Sequence, residues 1–406
     1  MNDQTRTKSV GFNENAMMPQ AELLEIIEQK KQITIGIPCE YSKHEKRIPL
    51  APHAVELLVN NGNIVYIHRG AGVSANFSDR EYSEAGGIII ENSKEIFQAD
   101  IVLKVAPPTI QEIEYMKGNQ LLISSLSLGT QAHDYITALQ EKKVTAIAYE
   151  YLRDKDNKTH PVLESMSEIS GCASILIAAE YLSTANYGKG EMLGGIAGVS
   201  PTEIVILGAT TAGESAVRIA LGLGAMVKVF DQSIEKLRQV QHKLGQQIFT
   251  SIIQPHTIHK ALKTADVVIG ALPFSDIAQY KVCIDSVMQM KPNSVIVDIG
   301  IDHGGCFETS EATTLDFPIY KKFNVIHYCV PNIPSRFART ATHALNNIFG
   351  PLLADIVDAG GIYQIIRNNL GIRNGIYLYN GILTKEPIGR RFGIPSRDIN
   401  LLIASF

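Results

Sequence analysis

The stretch "TEIVILGATTAGESAVRIALGLGAMVKVFD", residues 202–231, decides the fold. Its opening run, Ile204 to Leu207, is apolar and rich in β-branched residues, as a buried strand is. A turn containing glycine follows, then a segment with helical spacing, and then a second apolar strand that ends at Asp231. Strand, helix and strand in this order predict a βαβ unit with parallel strands.

The turn of this unit has the spacing of a phosphate-binding turn. Gly208 and Gly213 flank the residues "ATTA", and Asp231 lies 23 residues after Gly208. In such a unit the N-terminus of the helix holds a pyrophosphate, and a carboxylate at the end of the second strand accepts hydrogen bonds from ribose hydroxyls. Because a carboxylate at 231 would repel a 2′-phosphate, the pattern favours NAD over NADP.

One residue departs from the usual G-x-G-x-x-G pattern, because Thr210 stands where the middle glycine is expected. A β-branched side chain crowds the approach of a pyrophosphate and resists positive φ, although its hydroxyl could bind a phosphate oxygen instead. A P-loop is excluded, since Glu214 follows the second glycine where lysine is required. A purely steric role for the two glycines stays open at this point.

Strands and helices alternate on both sides of this unit, which predicts an α/β protein with two doubly wound sheets. A long helix is expected over 165–184, and the tail after about 340 reads as a helix followed by a strand or hairpin, "GIYLYNGILT". The expected strands are 33–38, 63–70, 87–91, 100–108, 120–128, 145–152, 202–208, 226–231, 265–270, 293–300 and 323–330.

The composition sets limits on the class of protein. A chain of 406 residues with 45% hydrophobic and 19% charged residues predicts two or three folded domains. The net charge of −4 argues against nucleic acid or an anionic membrane as a partner. No apolar run approaches the roughly 20 residues of a membrane span. The opening residues, "MNDQTRTKSVGFNENAMMPQ", lack an apolar signal core and are expected to be a flexible lead-in.

The cysteines predict a reducing compartment, and we therefore expect a cytoplasmic protein. They are odd in number, scattered and without a C-x-x-C pair, so they predict neither a disulfide framework nor a metal site. They are Cys39, Cys172, Cys283, Cys306 and Cys329.

Several segments in order along the chain resemble the family of alanine dehydrogenases and nicotinamide nucleotide transhydrogenase alpha subunits. Two of them, "VDIGIDHGGCFE" and "HYCVPNIP", have the form of the alanine dehydrogenase branch. The others are "IGIPCEYSKHEKRIPLAP", "HRGAGVSANFSDREYSEAGG", "DIVLKVAPP", "AIAYEYL", "SMSEISGCAS" and "GKGEMLGGIAGV".

The resemblance implies a discontinuous substrate domain, 1–161 with 338–406, into which an NAD-binding domain, 162–337, is inserted. It implies an active site in the cleft between the two domains and a homo-oligomer, often a hexamer. The implied reaction is the reversible, NAD-dependent oxidative deamination of L-alanine to pyruvate and ammonium.

The resemblance also assigns roles to residues. Arg47 matches the arginine that holds the substrate carboxylate, and a planar guanidinium suits that task. Lys104, at the end of an apolar strand, matches the lysine that holds a substrate oxygen, and Asp302 matches the catalytic aspartate. Ser167 and Asn332 match residues that contact the cofactor, together with Gly208, Thr210, Gly213 and Asp231.

Four departures from the family pattern bear on activity, and one of them, Thr210, is described above. Ser127 replaces the histidine expected as the acid/base, and a serine hydroxyl does not exchange a proton near neutral pH by itself. Cys39 replaces a usual lysine, and the loop 270–279 is shorter than in the family. His303, in a usual glutamine position, is a candidate for part of the lost proton transfer. Three functions stay open: an alanine dehydrogenase, a regulatory homologue that binds NAD without catalysis, and a dehydrogenase of another amino or 2-oxo acid.

Overall fold

The structure is a computed structural model that describes residues 32–273 and 280–404. The expected lead-in lies outside these residues, as does most of the loop 270–279. The described chain forms two β-sheets with helices around them, so the predicted α/β class with two doubly wound sheets is confirmed.

The first sheet has eight strands in the order β15-β14-β6-β5-β4-β1-β2-β3. Strands β1 to β6 are parallel, and β14 and β15 pair antiparallel at the edge beyond β6. The C-terminal tail therefore completes a sheet that the N-terminal part begins. The strands are β1 Thr34–Ile37, β2 Ile64–His68, β3 Ile88–Ile90, β4 Ile101–Leu103, β5 Leu121–Ser124, β6 Thr145–Ala148, β14 Ile376–Tyr379 and β15 Ile382–Leu383.

The second sheet has seven strands in the order β12-β13-β11-β10-β7-β8-β9. Only β12 runs antiparallel to its neighbour. Two edge strands, β9 and β12, were not among the expected strands. The strands are β7 Glu203–Leu207, β8 Met226–Asp231, β9 Phe249–Ile252, β10 Val267–Gly270, β11 Val295–Asp298, β12 Ile319–Lys322 and β13 Val325–Tyr328.

Each sheet reverses its strand order once among the parallel strands, between β1 and β4 in the first and between β7 and β10 in the second. In open parallel sheets, ligands bind at the carboxyl ends of the strands beside such a switch point. The two switch points therefore locate two halves of a candidate site.

Helices cover the faces of both sheets. They are α1 Pro52–Asn60, α2 Asp79–Glu84, α3 Ser93–Ile96, α4 Ile110–Tyr115, α5 His133–Glu141, α6 Pro161–Leu182, α7 Thr211–Gly222, α8 Ile234–Leu244, α9 Pro255–Thr264, α10 Ile284–Met288, α11 Ala338–Asp358, α12 Ile362–Asn368, α13 Leu370–Gly375, α14 Glu386–Phe392 and α15 Ile399–Ala404.

Two long helices connect the sheets. Helix α6 begins in the first core with Val162 and continues in the second core from Ala173 to Leu182. Helix α11 returns the chain to the first core, where Leu345 and Phe349 are fully buried. The division into 1–161 with 338–406 and 162–337 remains our proposed domain division.

The expectation that no apolar run reaches the length of a membrane span is wrong for α6. This helix is long and apolar enough to cross a membrane, as is the bent pair Ile333–Asp358 with Ile362–Asn368. Helices in the core of a folded protein can have the same length and composition. Helix α6 packs closely on α7, where a Cβ at Gly171 would collide with the carbonyl oxygen of Ala212.

Candidate functional site

The turn after β7 needs both of its glycines. Gly208 has a φ of 110°, which side chains rarely adopt, and a Cβ there would overlap the carbonyl oxygen of Ala271 after β10. A Cβ at Gly213 would overlap the carbonyl oxygen of Gly208. The two glycines thus bring α7 close to the sheet, with the helix N-terminus at the switch point between β7 and β10.

Thr210 does not strain this turn. It is the N-cap of α7 with φ −86° and ψ 174°, so its backbone is extended and needs no glycine. Its Oγ accepts a hydrogen bond from the Gly213 N–H at 3.2 Å and donates one to the Ala271 carbonyl at 2.9 Å. The expected conflict with positive φ is therefore wrong. The hydroxyl has a structural role as a helix cap.

Asp231 ends β8 beside the turn and is buried. Its Oδ2 accepts a hydrogen bond from the Ala209 N–H at 2.7 Å, and its Oδ1 accepts one from the Ser233 N–H at 2.8 Å. Each carboxylate oxygen can accept a second hydrogen bond. Turn, helix N-terminus and carboxylate together fit the pyrophosphate and adenosine ribose of a dinucleotide.

Arg47 lies in the loop after β1, on the side of the first sheet, and is 8% exposed. Its Nη2 lies 2.6 Å from Oε2 of Glu45, and its Nε donates to Oε1 at 2.8 Å. Its Nη1 points to the Met166 sulfur at 3.3 Å. Burial lowers the pKa of Arg47, but the charge and hydrogen bonds of Glu45 outweigh burial, and the net pKa is raised. The guanidinium thus stays positively charged, and Glu45 binds it through Nε and Nη2.

Asn332 joins Arg47 to the second sheet. It follows β13 in the left-handed region, with φ 56°. Its side-chain amide donates to Oε2 of Glu45 at 2.8 Å, and its backbone N–H lies 3.1 and 3.3 Å from the two carboxylate oxygens of Asp302. A chain of hydrogen bonds and charges therefore runs from Asp302 through Asn332 and Glu45 to Arg47.

Asp302 lies in a short 3₁₀ turn, Ile299–His303, directly after β11. Solvent reaches its side chain, yet protein atoms surround it closely, and this partial removal from water raises its pKa. The Asn332 N–H and the positive charge of Arg47 act in the opposite direction. A carboxyl of raised pKa at the junction of the two sheets is suited to proton transfer.

Lys104, which matches the lysine that holds a substrate oxygen in the family, is enclosed by protein atoms. It follows β4 at the first switch point, and its side chain has no exposure to solvent. Its Nζ lies 2.8 Å from Oε1 of Glu112 and 3.6 Å from Oε2 of Glu40. A buried ammonium needs such partners, because an unpaired charge in the interior is very costly.

Glu40 is buried beside Lys104, with 6% of its side chain exposed. It accepts hydrogen bonds from the N–H groups of Val105 and Ala106 at 2.7 and 3.2 Å. Burial raises its pKa to about 7, although the charge of Lys104 acts to lower it. Its charge state therefore changes close to neutral pH.

Ser127 follows β5 in the left-handed region, with φ 48° and ψ 50°, and is exposed. Glu150 supports this strained position, since its Oε1 accepts hydrogen bonds from the N–H groups of Leu126 and Ser127 at 2.7 and 3.1 Å. Burial raises the pKa of Glu150. The Ser127 hydroxyl lies 3.3 Å from that of Ser125, so two hydroxyls stand where the family resemblance implies an imidazole.

The remaining candidates lie around these groups. Ser167 is the seventh residue of α6, inside the helix and next to Met166, so it is not a helix cap. His303 ends the turn that carries Asp302, and its positive form would lower the pKa of that aspartate. The Cys39 N–H donates to Nδ1 of His68 at 3.2 Å, and burial raises the pKa of its thiol to about 11.

The structure thus joins three predicted residues, Arg47, Asn332 and Asp302, in one network, and places Gly208, Thr210, Gly213 and Asp231 in another. Sequence reasoning missed the carboxylates that hold the cations and the Ser127 turn. The sequence could have indicated these four glutamates, because each lies within a motif quoted above or in the helix directly after one. They are Glu40, Glu45, Glu112 and Glu150.

Comparison with known proteins gives two family matches that together span most of the chain. Residues 36–170 match "Alanine dehydrogenase/PNT, N-terminal domain", and residues 174–386 match "Alanine dehydrogenase/PNT, C-terminal domain". Alanine dehydrogenase of Methanococcus maripaludis is 38% identical over 364 residues, 89% of this chain and 97% of that protein. Alanine dehydrogenase of Bacillus subtilis is 37% identical, covering 88% of this chain and 94% of that protein.

Solved structures agree with these matches. An L-alanine dehydrogenase structure superposes with a TM-score of 0.83 at 32% identity, over 89% of this chain and 99% of that one. A transhydrogenase from Sinorhizobium meliloti has a TM-score of 0.74 at 22% identity, over 87% of this chain and 99% of that one. The second likeness concerns the fold alone.

Proposed function

Because the chain belongs to the alanine dehydrogenase/PNT family, we propose that it is an NAD-dependent L-alanine dehydrogenase, which interconverts L-alanine with pyruvate and ammonium. The observation that carries the proposal is the network of Arg47, Glu45, Asn332 and Asp302. It combines a carboxylate-binding cation and a proton-transferring acid at the junction of two switch points, one of which fits a dinucleotide.

Arg47 binds the substrate carboxylate. Glu45 occupies Nε and one hydrogen of Nη2, so the end of the guanidinium formed by Nη1 and Nη2 is the part that can pair with a second carboxylate. Met166 now contacts Nη1 and would move aside. Glu112 and Glu40 enclose the ammonium of Lys104 and offset its charge, so Arg47 is the cation that we assign to the substrate.

Asp302 transfers the proton. The nicotinamide, when bound, supplies the site that accepts or donates the hydride at the substrate Cα. Asp302 orients the amino group or the attacking water with its carboxylate, and its raised pKa lets it take and return a proton as the imine is hydrolysed to pyruvate. The hydroxyls of Ser127 and Ser125 hold a water for this step where the family resemblance implies a histidine.

The cofactor side favours NAD. Asp231 places a buried carboxylate beside the turn of α7, where a 2′-phosphate would be repelled. Gly208, Gly213 and the N-terminus of α7 would receive the pyrophosphate, and Asn332 would lie beside the nicotinamide.

The test is the oxidation of NADH by purified protein with pyruvate and ammonium. Arg47→Lys serves as the site variant because it keeps the charge and removes the planar fork. We expect turnover with NADH, much less with NADPH, and a large loss in the variant. Absence of turnover in the intact chain, despite tight NADH binding, would reject the proposal.

A second candidate is an NAD-binding homologue that has lost catalysis and acts as a regulator. One observation favours it: Ser127 presents a hydroxyl in place of an imidazole. The same assay separates the two functions, since a regulator binds NADH and shows no turnover with pyruvate or with other 2-oxo acids.

A further inference from the structure

The loop that carries Arg47 is joined by three buried or half-buried hydrogen bonds to the segment 332–335, which follows a strand of the second sheet. Asn332 donates its amide to Glu45. Ser335, which is 1% exposed, donates its hydroxyl to the His44 carbonyl at 2.6 Å and accepts from the Lys46 N–H at 2.8 Å. The segment 332–335 thus contacts three successive residues, 44 to 46, directly before the arginine.

This segment belongs to the second sheet. It follows β13, and its 3₁₀ turn, Ile333–Phe337, packs against α6 and leads into α11. Its first residue, Asn332, also holds Asp302, which follows the neighbouring strand β11. The backbone that positions the proton-transferring carboxylate is therefore the backbone that positions the substrate-binding loop.

We propose that Glu45, Asn332 and Ser335 are positioning residues that attach the Arg47 loop to the 332–335 segment, so that cofactor and substrate binding are energetically coupled through this attachment. The inference rests on the proposed function for its substrate, a small 2-oxo acid. Its structural part, the attachment of the loop, concerns this chain whatever the substrate is.

The electrostatics of Glu45 support the proposal. Burial raises the pKa of Glu45, but the charge of Arg47 and the hydrogen bonds from Arg47 and Asn332 outweigh this, and the net pKa is lowered. Glu45 is therefore an anion that accepts hydrogen bonds from Arg47, on the side of the first sheet, and from Asn332, on the side of the second sheet. Charge-assisted hydrogen bonds of this kind are short and directional, which suits a positioning role.

Coupling follows from reciprocity. If cofactor binding orders the 332–335 segment, it also orders the Arg47 loop and strengthens substrate binding, and the substrate strengthens cofactor binding by the same factor. Couplings of this kind are typically about 5- to 150-fold in affinity. Removal of the attachment should therefore weaken the coupling while the chemical groups stay in place.

Two variants and one matched control test the proposal. Ser335→Ala removes the hydroxyl that bonds both His44 and Lys46. Asn332→Gly removes the amide but keeps the left-handed backbone and the N–H that bonds Asp302. Lys43→Ala is the control, since it breaks an ion pair to Asp316 that links the same two parts of the chain but is exposed, at 75% and 54%.

The first readout is backbone hydrogen exchange of residues 42–47 with and without NADH. We expect NADH to slow exchange in the intact chain and in Lys43→Ala. In Ser335→Ala and Asn332→Gly, exchange should be faster by about tenfold or more, and NADH should slow it less. Exchange in both variants that matches the intact chain would overturn the proposal. If Ser335→Ala does not fold, the exchange rate of Asn332→Gly without NADH decides the question, because we also place the Asn332 amide beside the nicotinamide.

The second readout separates binding from chemistry. In Ser335→Ala we expect the KM for pyruvate to rise about tenfold while kcat changes by less than about threefold, because the loop is misplaced and no reacting group is removed. An unchanged KM would contradict the positioning role. If the intact chain does not turn over pyruvate but the exchange results hold, the proposed function fails and the attachment stands.

Discussion

The ammonium of Lys104 lies 2.8 Å from the carboxylate of Glu112, and the lysine side chain is fully buried. Oε2 of Glu40 lies 3.6 Å from the same ammonium. The lysine is therefore the cation that two carboxylates share inside the protein, in addition to any effect on the substrate. Its loss has consequences for stability that must be separated from those for catalysis.

Lys104→Ala should lower the free energy of unfolding by about 3–5 kcal/mol, because it leaves buried carboxylates without a cation. The double variant Lys104→Met with Glu112→Gln should lose less, since it removes both members of the closer pair. Urea denaturation of the three proteins measures the difference. Equal stability of the single and double variants would show that the pair is not coupled.

Glu40→Gln should alter how stability depends on pH. The folded chain releases the Glu40 proton at a pKa of about 7, and a free glutamate does so near 4.5. Between these values the folded state binds more protons, so this group makes the free energy of unfolding fall as pH rises towards 7, and the loss persists above that pH. At pH values well below 4.5, Glu40 is protonated in both the folded and the unfolded state, and it no longer changes the free energy of unfolding.

Glu40→Gln lacks this titration. The free energy of unfolding of the variant, minus that of the intact chain, should therefore rise by about 1–3 kcal/mol from about pH 5 to pH 8. Denaturation at both pH values gives the change, and any constant effect of the substitution cancels. Glu56→Gln, which alters an exposed carboxyl on α1, is the control and should show no such trend.

Thr210→Gly should not improve the cofactor site, although it restores the usual glycine pattern. Thr210 has a negative φ and caps α7, so glycine relieves no strain there. We expect NADH affinity to change by less than about threefold and the free energy of unfolding to fall by only a few tenths of a kcal/mol, because glycine is itself tolerated as a helix N-cap. Thr210→Ser keeps the hydroxyl and is the control. A marked gain in NADH affinity for Thr210→Gly would show that the methyl group obstructs the cofactor.

Gly208→Ala should abolish NADH binding or folding, because a Cβ would overlap the Ala271 carbonyl and φ is 110°. Gly222→Ala is a suitable control, since a Cβ at that helix position meets no atom within 4 Å. The control should gain about 0.5–1 kcal/mol from helix propensity. NADH fluorescence titration and thermal unfolding distinguish the two variants.

Ser127→His tests whether a titrating side chain limits the reaction. We expect kcat for reductive amination to rise about tenfold or more, with a new pH dependence near the imidazole pKa of about 6.5. Ser127→Asn is the control, because asparagine also tolerates the left-handed backbone but does not titrate. Equal rates for the two variants would show that Ser127 already serves the proton transfer well.

The sequence predicted the parallel strands well, because their buried apolar runs stand out between turns. It missed β9 and β12, which are edge strands with mixed polar and apolar residues and half-exposed side chains. Edge strands lack the continuous apolar pattern that identifies a strand covered on both faces. For the tail the sequence predicts a strand or hairpin, and β14 and β15 form a hairpin.

The sequence predicts the cations Arg47 and Lys104 and the carboxylate of Asp302 as site residues. It does not predict the carboxylates that bind the two cations. "HEKR" reads as a solvated charge run, yet Glu45 and Arg47 form a buried pair with 6% and 9% of their side chains exposed. The orientation of Lys104 towards Glu112 depends on how α4 packs, which local spacing does not show. The helix cap made by Thr210 was hidden by the glycine pattern it interrupts.

The position of β14 in the first sheet has a consequence for biosynthesis. Strand β6 pairs with β14, so the β6 edge of the first sheet stays unpaired until residues near the C-terminus have been synthesised. At elongation rates of about 5–20 residues per second, the wait lasts roughly 10–45 seconds. Throughout that time the nascent chain presents Thr145–Ala148, an apolar strand with unpaired backbone groups. The edge at β6 is therefore the part of the first sheet most open to wrong strand pairing before synthesis reaches β14.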